Sequence, residues 1–149
     1  MKLQEILVNN QTDIINEAFY SLERSHLKHY DSSRADENWQ RLAKLFDLTM
    51  NGIITKSLVE MVNYSEKIAK ERFESGFDLH EVHTAYNVLE EALWKKIIKE
   101  FDSSEMAESL GLISTVLGTG KESLALAYVS LASKQKVKSL NLTQLFKGV

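Results

Sequence analysis

The 149-residue sequence contains no cysteine and no proline. Without cysteine, disulfide bonds, thiolate metal ligands and cysteine nucleophiles are all excluded. Because proline lacks a backbone N–H and clashes inside helices, its absence permits long uninterrupted helices. The composition is otherwise that of an ordinary globular protein, with 44% hydrophobic and 26% charged residues. A chain of this length is most simply one domain, covering residues 1–149.

The sequence also lacks a long apolar run and a secretory signal. The longest apolar run, Leu124–Ala132, is far shorter than the roughly 20 residues that span a bilayer. The N-terminal segment MKLQEILVNNQTD has a glutamate within its apolar part and no small-residue cleavage site. We therefore expect a soluble, cytoplasmic protein that does not contact membranes.

Charge is unevenly distributed along the chain. The net charge of −3 argues against nucleic acid as the main partner. Residues 121–149 hold five lysines and one acid, a net +4, whereas residues 1–120 carry −7. A solvated, lysine-bearing final helix is the favoured explanation. Alternatively, residues 134–149 form a tail that meets an acidic partner, or the start of a linker.

Apolar periodicity predicts five or six helices and no strand. The predicted helical regions cover residues 2–29 with a break near Asn9–Thr12, 35–56 after a cap by Ser33 or Asp36, 58–75, 79–101 and 103–140. A turn is expected at Tyr30–Arg34. The sequence thus predicts an all-α bundle with a long C-terminal helix.

The segment Lys70–Trp94 carries the strongest local signals. Gly76 is expected to end one helix in the left-handed conformation. Asp78 and Glu81 then match a capping box, and the residues on either side of the cap can form a hydrophobic staple. The pattern predicts a sharp turn between two long helices.

In the final helix, apolar residues recur at about seven-residue intervals. We interpret this row as a dimer or transmitter element: Leu110, Ile113, Leu117, Leu124 and Leu131. Gly118 and Gly120 lower helix propensity and predict either a kink or the close approach of a neighbouring helix.

No catalytic or metal-binding motif is complete. Gly118–Lys121 resembles a phosphate loop, but Thr115 and Glu122 stand where that motif needs a glycine and a hydroxyl residue. His80 and His83 lie one helical turn apart without further free ligands, so no metal site is predicted. There is no nucleophile elbow, metalloprotease helix or kinase signature. We do not expect an enzyme.

Four residues form a candidate ligand or signal face: Arg72, His83, Tyr86 and Trp94. Tyr86 and Trp94 lie about two turns apart on one helix, and buried tyrosine and tryptophan usually find hydrogen-bond partners. Arg72, at the end of the preceding helix, can supply charge for an acidic ligand. The alternative is that these side chains belong to the core or its rim.

The segment Ala69–Trp94 has arginine, Gly-Phe, hydrophobic-His-Glu-Val, Ala-Tyr and Ala-Leu-Trp elements. It resembles the RsbRD-type N-terminal domain of the RsbT co-antagonist proteins. Tyr30 near the first turn, a tryptophan-bearing second helix and a long final helix extend the similarity over about residues 3–133. The resemblance implies a dimeric, all-helical input domain of bacterial stress-response signalling, with a globin-like arrangement that lacks haem. It implies no catalytic residue.

We therefore expect a non-enzymatic signalling or regulatory module without a cofactor. It would act through helix packing and protein–protein contacts, as a homodimer with a signalling protein as partner. One alternative is a globin-like protein that binds haem or another small ligand, although the spacing of the histidines selects no haem ligand. The other is a purely structural interaction module.

Overall fold

The computed structural model describes the backbone of residues 2–147 and the side chains of residues 2–135. Within these residues the protein is all-helical, and no strand is present. The elements are α1 (Lys2–Asn9), α2 (Gln11–Arg24), α3 (Lys28–Ser32), α4 (Ala35–Thr55), α5 (Val59–Glu74), α6 (Leu79–Glu100) and α7 (Ser103–Lys147). The predicted all-α class and the long C-terminal helix are confirmed.

The described part of the chain contains seven helices instead of five or six. The predicted break separates α1 from α2 at Asn10, whose side-chain amide donates to the Ile6 carbonyl at 2.7 Å. The second extra element is α3. The prediction of a turn is wrong for Tyr30–Ser32, because contacts from the distant α6 hold this segment as a helix.

The predicted cap of α4 is also wrong. Arg34 occupies the N-cap, and no side chain makes a cap hydrogen bond there. The Ser33 hydroxyl instead donates to the His29 carbonyl in α3, at 2.7 Å. Asp36 accepts hydrogen bonds from the Arg34 guanidinium. Both side chains are thus engaged by nearer partners.

The turn between α5 and α6 follows the sequence prediction. Gly76 has φ +89°, and the Phe77 N–H donates to the Arg72 carbonyl at 2.9 Å. Together with the Gly76 N–H bond to the Phe73 carbonyl, this is a Schellman ending. The capping box of Asp78 and Glu81 begins α6 directly afterwards. The turn directs Phe77 back towards the last turn of α5.

Helix α7 lies along both α5 and α6, while α2 packs on α6 and α4. One face of α7 belongs to the core, through Ile113, Val116, Leu117, Leu124 and Tyr128. Asp102 precedes α7, and its side chain accepts hydrogen bonds from the backbone N–H groups of Ser104 and Glu105. At 45 residues, α7 is about twice as long as the 22-residue α6.

The C-terminal lysines fall largely beyond the described side chains. The α7 backbone continues as helix to Lys147. The predicted tail or linker at 134–149 lies, from residue 136 onward, outside the residues whose side chains the structure describes. Among the described helices, none is both long and apolar enough to cross a bilayer.

Candidate functional site

Two arginines and three tyrosines meet where α3, α4, α5 and α6 converge, with Arg72 buried and the Arg41 side chain 27% exposed. We call Tyr30, Arg41, Tyr64, Arg72 and Tyr86 the arginine–tyrosine cluster. These five side chains line one small cavity of about 10 Å³, with Asn38 and apolar residues of α2, α4, α5 and α6 completing its wall. A volume of this size holds about one water-sized particle. Guanidinium and phenol hydrogen-bond donors therefore surround a space that holds one small ligand or water molecule.

Phe77 joins the two arginines of the cluster. Its ring centroid lies 5.5 Å from Arg41 Cζ and 5.8 Å from Arg72 Cζ. Guanidinium groups at this distance are attracted by the electron-rich ring face. The Schellman turn that ends α5 places Phe77 in this position, so a local backbone feature brings two cations to the same aromatic ring.

Arg41 is fixed by neighbours on α3 and α4. Its Nη1 donates to Asn38 Oδ1 at 2.9 Å and to Ser33 Oγ at 3.3 Å. Asn38 in turn donates to the Tyr30 carbonyl at 2.8 Å. Burial lowers the pKa of Arg41, and the charge of Arg72 lowers it further. Because both guanidiniums lie against the same Phe77 ring, their like charges repel each other.

Arg72 is only 8% exposed, and its Nε–H has no hydrogen-bond partner among the described residues. One carboxylate in the described part of the chain approaches it, Glu71, with Oε2 at 3.7 Å from Nη1. The corresponding neighbour of Arg41 is Glu37, at 3.9 Å. Both carboxylates are about half exposed or more and too distant for a hydrogen bond. Among the described residues, no buried carboxylate therefore neutralises the positive charge of the cluster.

The tyrosines of the cluster are hydrogen-bond donors at any physiological pH. Burial raises the pKa of Tyr30 to about 12, although the charges of Arg72 and Arg41 partly oppose this. Burial likewise raises the pKa of Tyr64 and of Tyr86. A protonated phenol does not act as a general base. The groups assembled here are suited to binding.

Tyr86 connects the cavity to α7. Its hydroxyl is 2.7 Å from Ser65 Oγ of α5. Across the helix interface, a Cβ built on Gly120 would lie 2.9 Å from Tyr86 Cε2 and 2.8 Å from Met61 Sδ. The predicted close approach at Gly120 is confirmed, whereas a Cβ at Gly118 would meet nothing within 4 Å. Movement of the Tyr86 ring would therefore press directly on α7.

The structure brings together two of the four residues predicted for a ligand face. Arg72 and Tyr86 line the cavity, but His83 and Trp94 do not. Trp94 is 38% exposed on the outside of α6. His83 is half-buried near α7, with Nδ1 3.2 Å from Asn87 Nδ2. Burial lowers its pKa, and Lys121 and His80 lower it further.

The predicted dimer or transmitter row faces mainly into the chain's own core. Ile113, Leu117 and Leu124 are buried there, and Leu110 packs against the same core. Leu131 is partly buried and lines an outer groove of about 420 Å³ between α5 and α7. A contact between two copies through α7 would therefore use residues outside the three buried positions.

The histidines are placed apart from the cavity, since none of the four is among the residues that line it. His29 binds Glu81 through its backbone N–H at 2.8 Å and through Nδ1 at 2.7 Å. His26 and His80 are exposed. In the described part of the chain, no three histidine, aspartate or glutamate residues group as metal ligands would. A haem group is also much larger than the cavity as it stands.

The sequence did not indicate that Tyr64 and Arg41 line the cavity, or that Glu81 binds His29. For Tyr64 the sequence does contain an indication, because Tyr64, Ile68 and Arg72 recur at four-residue intervals and so share one face of α5. Glu81 was assigned to its cap, which the structure confirms, but the same carboxylate also holds α3 in place. No local pattern signals that second bond, since it joins residues 52 positions apart.

Comparison with protein-family models, with curated proteins and with solved structures finds no match to this chain. The resemblance to the RsbRD-type domain therefore stays a prediction from the residues of Ala69–Trp94.

Proposed function

We propose that this chain is a non-enzymatic regulatory module of a bacterial signalling system, which acts through helix packing and through contact with another protein chain. The observation that carries the proposal is the two-sided character of α7. Its inner face closes the bundle core at Ile113, Leu117 and Leu124. Its outer face exposes Leu126 and Val129. One helix thus connects the interior to the surface.

The outer face of α7 has the properties of a helix-docking surface. Leu126 is 65% exposed and Val129, nearly one turn further on, is 61% exposed. The neighbouring groove between α5 and α7 combines apolar Leu126 and Leu131 with the charges of Glu66 and Lys70. Exposed apolar residues with a polar rim are typical of protein–protein contact sites.

A physical path also leads from the interior to this surface. Tyr86 lines the cavity and lies against α7 at Gly120. Farther along α7, the Tyr128 hydroxyl donates to the Phe77 carbonyl at 3.1 Å. Because Phe77 also contacts both arginines of the cluster, a change at the cluster has two points of contact with α7. The resemblance to a signalling input domain agrees with this arrangement.

The test is self-association of the full chain by sedimentation velocity. We expect a homodimer, and we expect the double variant Leu126→Glu, Val129→Glu to be monomeric because it places charges in the contact. Ile98→Glu is the matched control, since Ile98 is 53% exposed on α6, away from that face. It should remain dimeric. A monomeric wild-type protein, or a dimer that the double variant leaves intact with unchanged helical circular dichroism, contradicts the proposal.

A further inference from the structure

We propose that the cavity of the arginine–tyrosine cluster binds one small, singly charged anion of about the size of chloride. The site is distinct from the outer face of α7, and the inference holds whether or not the chain dimerises. It depends on charge, on an unpartnered donor, on cavity size and on the route from the surface.

Charge is the first argument. Burial of a cation is unfavourable unless the charge is paired and hydrogen-bonded. Arg72 is the buried cation here, and the partly exposed Arg41 shares the ring of Phe77 with it. Their carboxylate neighbours, Glu37 and Glu71, are largely solvated and beyond hydrogen-bond distance. An anion between the two guanidiniums would relieve their repulsion. It would supply the buried counter-charge that the described residues do not.

The second argument is the Nε–H group of Arg72. A buried donor left without an acceptor costs free energy, and the great majority of such groups in proteins are paired. Arg72 lines the cavity and is more than nine-tenths buried. The protonated phenols of Tyr30 and Tyr64 line the same space. An anion accepts hydrogen bonds from all of these groups without needing to donate one.

Size and access select the kind of anion. A cavity of about 10 Å³ is at the lower limit for one water molecule, which excludes phosphate and sulfate and leaves a monatomic anion such as chloride. An outer cleft of about 390 Å³ shares Leu22, Tyr30 and Asn38 with the cavity wall, so the cleft adjoins the site. Glu23 and Asp31 line this cleft. Their negative charge disfavours multiply charged anions more strongly than singly charged ones.

The test compares thermal unfolding in chloride with unfolding in gluconate, an anion too large for the cavity, at constant ionic strength. Ligand that binds only the folded state raises the unfolding midpoint with the logarithm of its concentration. Above the dissociation constant, we expect each tenfold increase in chloride to raise the midpoint by roughly 3–5 °C. Equal midpoints in chloride and gluconate would overturn the inference.

Variants separate this site from general salt effects. Arg72→Gln removes the charge and the Nε–H, and it should abolish the chloride response. Arg34→Gln is the control, because Arg34 is exposed and paired with Asp36, and it should respond as the wild type does. If Arg72→Gln does not fold, Arg72→Lys retains the charge without Nε–H and should lose most of the response. An unchanged response in the folded Arg72 variants would rule out this site.

Bromide gives a direct readout that needs no variant. In crystals grown with bromide, we expect one anomalous peak inside the cavity, between the guanidiniums of Arg41 and Arg72. Electron density for a water molecule without an anomalous signal would overturn the inference. Neither result depends on the oligomeric state, so failure here is distinguishable from failure of the proposed contact at Leu126 and Val129.

Discussion

Gly120 of α7 and Tyr86 of α6 meet so closely that a Cβ at position 120 would lie 2.9 Å from Tyr86 Cε2. The same atom would lie 2.8 Å from Met61 Sδ of α5. Real Cβ atoms essentially never approach other heavy atoms this closely. The absence of a side chain at Gly120 is therefore what lets three helices converge beside the cavity.

Replacing Gly120 by alanine should destabilise the protein. Alanine gains about 1 kcal/mol of helix propensity over glycine. Overpacking of a tight core typically costs about 1–3 kcal/mol, and the Tyr86 ring is tethered by its bond to Ser65. We expect a net loss of up to about 2 kcal/mol in the free energy of unfolding, measured by urea denaturation.

Gly118→Ala provides the matched control, two positions away on the same helix. A Cβ there would meet nothing within 4 Å. Only the helix-propensity term applies, so this variant should be more stable than the wild type by about 1 kcal/mol. If both alanine variants shift stability in the same direction, the close approach at Gly120 is not what sets its identity.

Ser65 and Tyr86 should be energetically coupled through their hydrogen bond. Both groups are buried, so Ser65→Ala leaves the phenol without its partner and should cost about 1–3 kcal/mol. Tyr86→Phe leaves the Ser65 hydroxyl with the weak acceptor Met61 Sδ, 3.8 Å away. The double variant should cost less than the two single variants added together. A double-mutant cycle measures this difference, and strict additivity would argue against the bond.

The features that could be predicted from the sequence are those whose interacting residues lie close together in the chain. The Schellman turn at Gly76 and the capping box of Asp78 and Glu81 depend on bonds within five residues, and they were predicted correctly. Their determinants are all contained in a short segment. The end of α4 shows the limit, because Lys56 takes the left-handed conformation that sequence preference would give to glycine.

Interactions between distant segments could not be predicted in this way. Helix α3 forms where a turn was expected because Glu81 of α6 binds the backbone and the ring of His29. Similarly, Tyr86 and Trp94 differ by eight positions, which turns their directions about 80° apart on a helix. That angle separates the buried Tyr86 from the exposed Trp94. The packing of α5 and α7 against α6 decides which of the two is buried.

Glu81→Gln should reduce the acid sensitivity of the protein. Burial alone would raise the pKa of Glu81, but hydrogen bonds from the His29 and Asp78 backbones and from the His29 ring lower it overall. A carboxyl whose folded pKa lies below its unfolded value stabilises the protein above the unfolded pKa. That contribution is lost as pH falls through the folded pKa.

We therefore expect the free energy of unfolding to fall less steeply in Glu81→Gln than in the wild type as the pH falls below about 5. At neutral pH the variant should be less stable by about 1–2 kcal/mol, because one of the two acceptor oxygens becomes an NH₂ donor and the bonds from the His29 and Asp78 backbone N–H groups cannot both be kept. Glu91→Gln serves as the control, because Glu91 is exposed. Parallel pH profiles for the wild type and Glu81→Gln would show that another group carries the acid sensitivity.

Lys121→Gln should raise the pKa of His83. Burial is the main cause of the lowered pKa of His83, and the charge of Lys121 is the next. Lys121 also pairs with Glu90, with Nζ 3.2 Å from Oε1, and Glu90 by itself favours the charged imidazole. Removing the lysine both eliminates a repulsive cation and frees an attractive carboxylate, so the two effects act in the same direction.

Titration of the His83 ring by NMR measures this shift. Lys2→Gln is the control, because Lys2 pairs with Glu105 and is not among the charges that act on His83. An unchanged His83 pKa in Lys121→Gln would mean that Lys121 does not lie against this part of α6. Since the Lys121–Glu90 pair joins α7 to α6, the same titration reports whether these helices pack in solution as the structure places them.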